Sequence, residues 1–371
     1  MSLWDNILNS SGADLTTLQQ KDPCVKTNNK SINKKDNRIN CNNANIVLTR
    51  KGISIDVYLL QDLNIHRKII NKFTISIPTL MGYDIKVTNH IHELDTMKYI
   101  FPRFGFLEYI ETNLKNYNFS NKIGLGKFPS APFKWSGTFT NNQPIVADYI
   151  MKNYFNDENS KLGKAGVILN LAAGQGKTFL ATGLIEKIQR KTLVITHNKT
   201  ILHQWIKILK TAYVKNKIAH FYGEKKEDGD IVVGVINSLL KQPKKYFHQF
   251  GYVILDEVHE YVAKSRKKIY SLASSTYMLG LSATPHERAD NLDTVNLWNC
   301  GPILVAKDLD GYTEDDIPFQ GEVKMIKYNA PAEYTIVITN KTLDVISFSE
   351  MVSQMCSDPF RIHLIVKTIY E

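Results

Sequence analysis

Residues 166–178 read Gly-Val-Ile-Leu-Asn-Leu-Ala-Ala-Gly-Gln-Gly-Lys-Thr, and the class of fold follows from them. The first half, GVILNL, is a continuous apolar run rather than an alternating one, which fits a strand covered on both faces. Gly174 and Gly176 end the run, because a backbone without Cβ can turn tightly there. A helix then opens at Lys177, with Leu180, Leu184 and Ile188 on one face and Glu186, Lys187 and Arg190 elsewhere. A loop so placed wraps a phosphate. Consecutive N–H groups and the positive helix end face the anion, Lys177 reaches the β/γ oxygens, and the Thr178 hydroxyl can ligate magnesium. Ala172, Ala173, Gly174, Gln175, Gly176, Lys177 and Thr178 are therefore candidate ATP-binding residues, with ATP and Mg2+ as cofactors. The strict pattern opens with glycine where this chain has Leu171.

Outward from this loop the texture repeats. TLVIT, IVVGVI, YVILDE and YMLGLSAT are short apolar runs separated by helical segments, as expected of a doubly wound α/β domain with a parallel sheet. Asp256-Glu257-Val258-His259 closes the run Tyr252–Leu255, which puts both carboxylates at the C-terminal edge where parallel sheets bind ligands. Asp256 is expected to hold the metal, directly or through water, and Glu257 to orient and deprotonate an attacking water. With Lys177 they form the candidate catalytic set. Thr196, His197 and Asn198 follow a buried strand at the same edge, a place suited to gripping a phosphodiester backbone, and Ser238 belongs to the same class.

The phosphate loop and DEVH, followed by Ser282-Ala283-Thr284, resemble motifs I, II and III of the superfamily 2 helicases. The resemblance implies a RecA-like lobe, adenine recognition by Gln143, strand contacts by VITHNKTILHQW and IVVGVINSL, and coupling of nucleotide state through His259, Ser282, Ala283 and Thr284. Asn237 stands where such proteins often carry Gln or Tyr. Closest in texture are the DExH enzymes of the TFIIH repair-helicase type and the poxvirus-like transcript-release helicases of large DNA viruses. RKGISI, FTISIP and YIFPRFG resemble the front domain of that viral group. The implied function is an ATP-dependent helicase or translocase acting on single-stranded or tailed DNA, with RNA as the alternative. Transcription machinery is an implied partner, and a viral factory or virion the implied setting. Such enzymes hydrolyse ATP between two RecA-like lobes, with arginine fingers from the second. DPFRIHLIVKTIY resembles only the entry to that lobe, and no QxxGRxxR-like segment occurs in this chain. The second lobe is therefore expected from a longer polypeptide or another chain, unless the protein is a degenerate relative. Low activity of the chain by itself follows. The rival readings are a non-catalytic nucleic-acid-binding subunit and a metabolite kinase, the latter leaving DEVH and SAT unexplained.

The 371 residues hold 43% hydrophobic and 22% charged side chains, enough for two or three folded domains. The expected division is a flexible Asn/Lys-rich tail over 1–45, an accessory α+β domain over 46–128, the ATP-binding lobe over 129–310, and a linker with the start of a second lobe over 311–371. GEVKMIKY (321–328) reads as a strand and 347–370 as helical. No apolar run approaches a membrane span, no signal peptide is visible, and the four cysteines lack paired spacing, so an intracellular, reducing setting without membrane or zinc is expected. The 46 Lys and Arg exceed 36 Asp and Glu, giving a net charge of +10, which favours a polyanionic partner. The tail holds part of that excess; KQPKKYFHQ (241–249) and KSRKK (264–268) are the other basic runs, and Tyr246 and Phe247 are candidates to stack on bases.

Overall fold

The computed structural model describes residues 38–41, 44–62, 65–78, 84–263, 265–285, 291–313, 325–340 and 345–370. Most of the tail expected over 1–45 lies outside the described residues, as do 314–324.

The N-terminal unit is built on five strands. They are β1 (Asn45–Thr49), β2 (Gly52–Asp56), β3 (Ile91–Glu93), β4 (Lys98–Phe101) and β5 (Asn118–Asn121), in the spatial order β3-β4-β2-β1-β5. All neighbours are antiparallel except β1 and β5. The turn between β1 and β2 needs Gly52 at φ 135°, where an added Cβ would strike the Phe101 carbonyl. Helix α1 (Arg103–Asn113) follows β4.

The second unit is the parallel sheet that the apolar runs predicted. Its strands are β6 (Gly166–Asn170), β7 (Thr192–Thr196), β8 (Ile218–Tyr222), β9 (Lys225–Lys226), β10 (Ile231–Val235), β11 (Tyr252–Leu255), β12 (Tyr277–Ser282) and β13 (Ile303–Val305). They lie in the order β9-β8-β10-β7-β11-β12-β6-β13, all parallel except the β8–β9 pair. Strands β7, β10 and β11 are buried throughout, because helices cover both faces. Helices α2 (Gln143–Asn153), α3 (Lys177–Ile188) and α4 (Lys199–Ala212) cover one of these faces. In α4 the buried residues Leu202, Trp205, Ile206, Leu209 and Ala212 recur at helical spacing, and Asn198 caps its start by accepting from the Ile201 N–H.

The two units share one core. An apolar cluster runs from Ile46, Phe101 and Phe106 through Val253, Met278 and Trp298. The short helices α5 (Lys244–Phe247), α6 (Lys268–Ala273) and α7 (Thr294–Cys300) carry the lobe's side of that contact. Phe73 meets Trp298 edge-on at 5.0 Å, and Gly105 leaves no room for a Cβ against the Trp298 ring. Two arginines fasten the units. Arg103 is buried and donates to the Gly163, Ser275 and Thr276 carbonyls. Arg50 donates to Ser274 and Gly124, with longer bonds to Phe247, His248 and Phe250, so it caps the end of α5. Burial lowers the Arg50 pKa to about 10 and that of Arg103 to about 9.

Helices α8 (Phe348–Cys356) and α9 (Pro359–Tyr370) occupy the predicted helical stretch, broken at Ser357 and Asp358. Of the expected strand GEVKMIKY, residues 325–328 are described and form no strand.

Candidate active site

The parallel order β11-β12-β6 brings three loops to one edge. Strand β12 lies between the strands that carry DEVH and the phosphate loop, with Asn170 opposite Ser282 and Leu255 opposite Gly280. The Leu171 N–H donates to the Ser282 carbonyl, so the phosphate loop leaves β6 already tied to the SAT segment.

Within the loop, Gly174 and Gly176 have φ of 82° and 77°, the left-handed region that favours glycine. A Cβ on Gly176 would lie 2.4 Å from Gln143 Nε2. That amide donates weakly to the Gln175 carbonyl, and Gln143 Oε1 accepts from the Thr140 N–H. Gln143 therefore leans on the loop. Ala172, Ala173 and Gly174 are exposed, Thr178 is half-buried, and Lys177 Nζ donates to the Leu171 carbonyl at 3.0 Å. A cavity of about 180 Å³ lies between the loop and Asn141–Gln143, with Tyr312 on its wall. The Tyr312 hydroxyl donates to Gln175 Oε1 at 2.8 Å, and Asn142 pairs with Thr313 through both amide atoms. Sequence reasoning missed Tyr312, which lies 137 residues from Gln175 and in no motif.

Asp256 is 7% exposed, and its Oδ2 accepts from Trp205 Nε1 at 2.7 Å. Burial raises its pKa; the Trp205 bond opposes that rise, and the Glu257 charge adds to it. Lys177 is close enough to act on the same carboxyl. Trp205 is core and also the donor that orients Asp256. Tyr261 braces the strand ends from below, its hydroxyl lying within bonding distance of the Ile195 and Asp256 carbonyls. Glu257 stands at φ 50°, an uncommon backbone for a residue other than glycine, which turns it out of the strand line. His259 Nδ1 lies 3.4 Å from Glu257 and 3.2 Å from Ser282 Oγ, and that hydroxyl accepts from the Thr284 N–H. DEVH and SAT thus meet through one imidazole. Ala283 is half-buried and Thr284 exposed beside it.

The strand-gripping candidates separate. Thr196 is fully buried, with its hydroxyl bonded to the Asn198 and Gly234 carbonyls, so it cannot reach a ligand; being the last residue of a sheet-interior strand, it caps the loop instead. Asn198 is exposed, its oxygen caps α4, and its amide meets His197 Nε2 at 2.8 Å. Ser238 is half-buried and accepts from the Gly223 N–H. The expected base-stackers also fail: Phe247 is 1% exposed and Tyr246 is packed against Phe221, Phe247 and Phe250.

A glycine loop at the same sheet edge as DEVH and SAT can be set against known families. Residues 138–287 match the family described as the type III restriction enzyme res subunit. A protein of African swine fever virus, named by inference as an ATP-dependent RNA helicase, is 34% identical over 209 residues, which cover 53% of this chain and 39% of the relative. A similarly named mimivirus protein is 28% identical over 284 residues, covering 71% of this chain and 49% of its own. The chain thus spans less than half the length of these relatives. The UvsW helicase of bacteriophage T4 superposes with a TM-score of 0.45 and 16% identity, over 71% of this chain and 99% of that one.

Proposed function

We propose that the chain is the ATP-binding part of a nucleic-acid-dependent ATPase of helicase or translocase type. The observation that carries the reading is the convergence of Lys177, Asp256, Glu257 and the His259–Ser282 contact on the edge of three adjacent parallel strands. The phosphate loop holds the triphosphate through its N–H groups, and Lys177 neutralises charge on the transferred phosphoryl group. Glu257, turned out of the strand, aligns the attacking water and accepts its proton. His259 touches both the Glu257 carboxylate and the Ser282 hydroxyl, so a change at the γ-phosphate is felt in the SAT segment. Gln143 and Tyr312 bound the cavity beside the loop and take the base.

The donor chemistry fits magnesium. Asp256 offers one oxygen not bonded to Trp205, Thr178 offers a hydroxyl, and among the described residues no three His, Cys, Asp or Glu side chains converge to form a harder cage. Mg2+ usually keeps several waters and takes one or two protein ligands besides phosphate. When bound it supplies charge neutralisation at the β- and γ-oxygens.

His197 and Asn198 are the strand contacts of this reading, with Ser238 supporting the Gly223 turn. The substrate is a polynucleotide. The named relatives point to RNA, the TFIIH-type resemblance to DNA and to transcription machinery as partner. The unit division at about residues 46, 129 and 311 belongs to the same reading, as does a second RecA-like lobe in cis or trans to supply arginine fingers. Titration with a fluorescent ATP analogue tests it: Lys177→Ala should weaken binding at least about tenfold, the loss of one charge-assisted contact. Unchanged affinity in that variant sinks the nucleotide site. ATPase assays with single-stranded DNA and RNA decide the polymer.

A further inference from the structure

Two basic segments singled out in the sequence are not used by the site above, and the fold brings them together. Lys244 comes from the first, Lys267 and Lys268 from the second, and they face Lys51, Lys98 and Lys122 of the N-terminal unit. These residues line two cavities of about 570 and 360 Å³ that share Lys51, Ile100 and Ser271, so they form one groove along the junction of the units. Among the described residues Glu93 is the single carboxylate in its wall, and it is paired with Lys51. With Arg50 the groove carries seven cationic side chains against that one, and its excess of six, added to the four in residues 21–40, accounts for the whole +10 of the chain. The rest of the molecule is neutral.

The groove is not the strand-gripping edge. Lys244 precedes β11, and Lys267, Lys268 and Ser271 precede β12, whereas the phosphate loop, DEVH and SAT follow the C-terminal ends of β6, β11 and β12. Strand β12 has six residues, so at about 3.3 Å each its two ends lie ~20 Å apart. Lys98, Lys122, Lys244 and Lys268 are exposed and make no ion pair or side-chain hydrogen bond among the described residues. Arg50 and Arg103 fix the two walls to each other through carbonyls, so the lysines stand in a preset frame.

We infer that this groove is a second nucleic-acid site, which holds the phosphate backbone of a duplex. Lysines, with the Ser54 hydroxyl beside them, are the donors that phosphate oxygens take. A protein partner fits less well, since lysine is depleted in protein interfaces. A single strand fits less well too. Its binding leans on exposed aromatic platforms, and the aromatic residues here, Phe101 and Tyr270, are buried. Contact is therefore electrostatic, independent of base sequence and steep in salt.

Fluorescence anisotropy of the full chain with a labelled 20-base-pair duplex, from about 50 to 200 mM salt, tests this. Changing Lys98, Lys122 and Lys268 together to Gln should weaken duplex binding at least about tenfold and flatten the log–log salt slope by about two to three. Affinity for a fluorescent ATP analogue should stay unchanged, and arginine at the same three positions should retain duplex binding. A glutamine variant with native circular dichroism and wild-type affinity and slope overturns the inference. Should that variant not fold, lysine acetylation of the wild-type chain decides: duplex should protect Lys98, Lys122, Lys244 and Lys268. Absence of protection, or equal protection by single-stranded DNA or poly-glutamate, overturns it.

Discussion

Replacing Trp205 by Phe removes one indole N–H and leaves an aromatic ring in the core, which isolates the bond to Asp256. Donor and acceptor are 2.7 Å apart, 1% and 7% exposed, so water cannot stand in for the lost donor. A hydrogen bond to a charged group contributes about 1.5–3 kcal/mol, and a neutral one about 0.5–1.5 kcal/mol. A double-mutant cycle of Trp205→Phe with Asp256→Ala cancels the volume lost from the ring and reads the bond alone. Burial holds the Asp256 pKa above its ordinary 3.8, so between 3.8 and the folded value the folded state binds the extra proton. Stability from this group therefore falls as pH rises through that window, and the Trp205 bond offsets part of the loss. Urea unfolding of the four proteins by circular dichroism should give a coupling of about 1.5–3 kcal/mol at pH 7.5, shrinking to about 0.5–1.5 kcal/mol near pH 4 as the carboxyl becomes neutral. A coupling below about 0.5 kcal/mol at pH 7.5, or one that does not change with pH, refutes the claim that Trp205 steadies the ionised carboxylate.

Glu257→Gln keeps size and hydrogen bonding but removes the base; in a protein that supplies both lobes it should bind ATP normally and turn over at least about a hundredfold more slowly in steady-state ATPase assays. Gly176→Ala meets both a φ of 77° and the Gln143 amide, so it should raise the dissociation constant for an ATP analogue about tenfold, from roughly 1–2 kcal/mol of left-handed strain. Arg103→Met leaves three buried carbonyls without a donor, and a loss of about 3 kcal/mol is expected in urea unfolding; a change within 0.5 kcal/mol would mean that packing alone joins the units. His259→Ala should leave ATP affinity intact while removing polynucleotide stimulation, read by ATPase rates with and without a single strand.

The local parts of the site were legible because each is a short-range pattern. A strand, a glycine loop and a helix in that order, then carboxylates after another apolar run, are dictated by burial and backbone sterics within about a dozen residues. The order of the strands is not such a pattern. That β12 enters between β6 and β11, so that His259 meets Ser282, depends on which sheet edges stay open as the chain folds, and periodicity carries no record of it. Thr196 shows the same limit from the other side: its place after a buried strand suggested a contact, and only the packed loop makes clear that its hydroxyl turns inward.

What the sequence by itself determined is the class of fold and the strand, glycine loop and helix around Gly174 and Gly176, because apolar continuity and glycine placement are properties of neighbours in the chain. Tertiary structure alone decided the rest: Trp205 against Asp256 is a bond across 51 residues, Tyr312 against Gln175 one across 137, and Arg103 against Thr276 one across 173. The lysines of the groove likewise come from strands and helices far apart in the chain. Contacts of that span exist only when the whole core has closed, since the loop entropy they cost is offset by burial of apolar surface elsewhere and not by anything in their own segments.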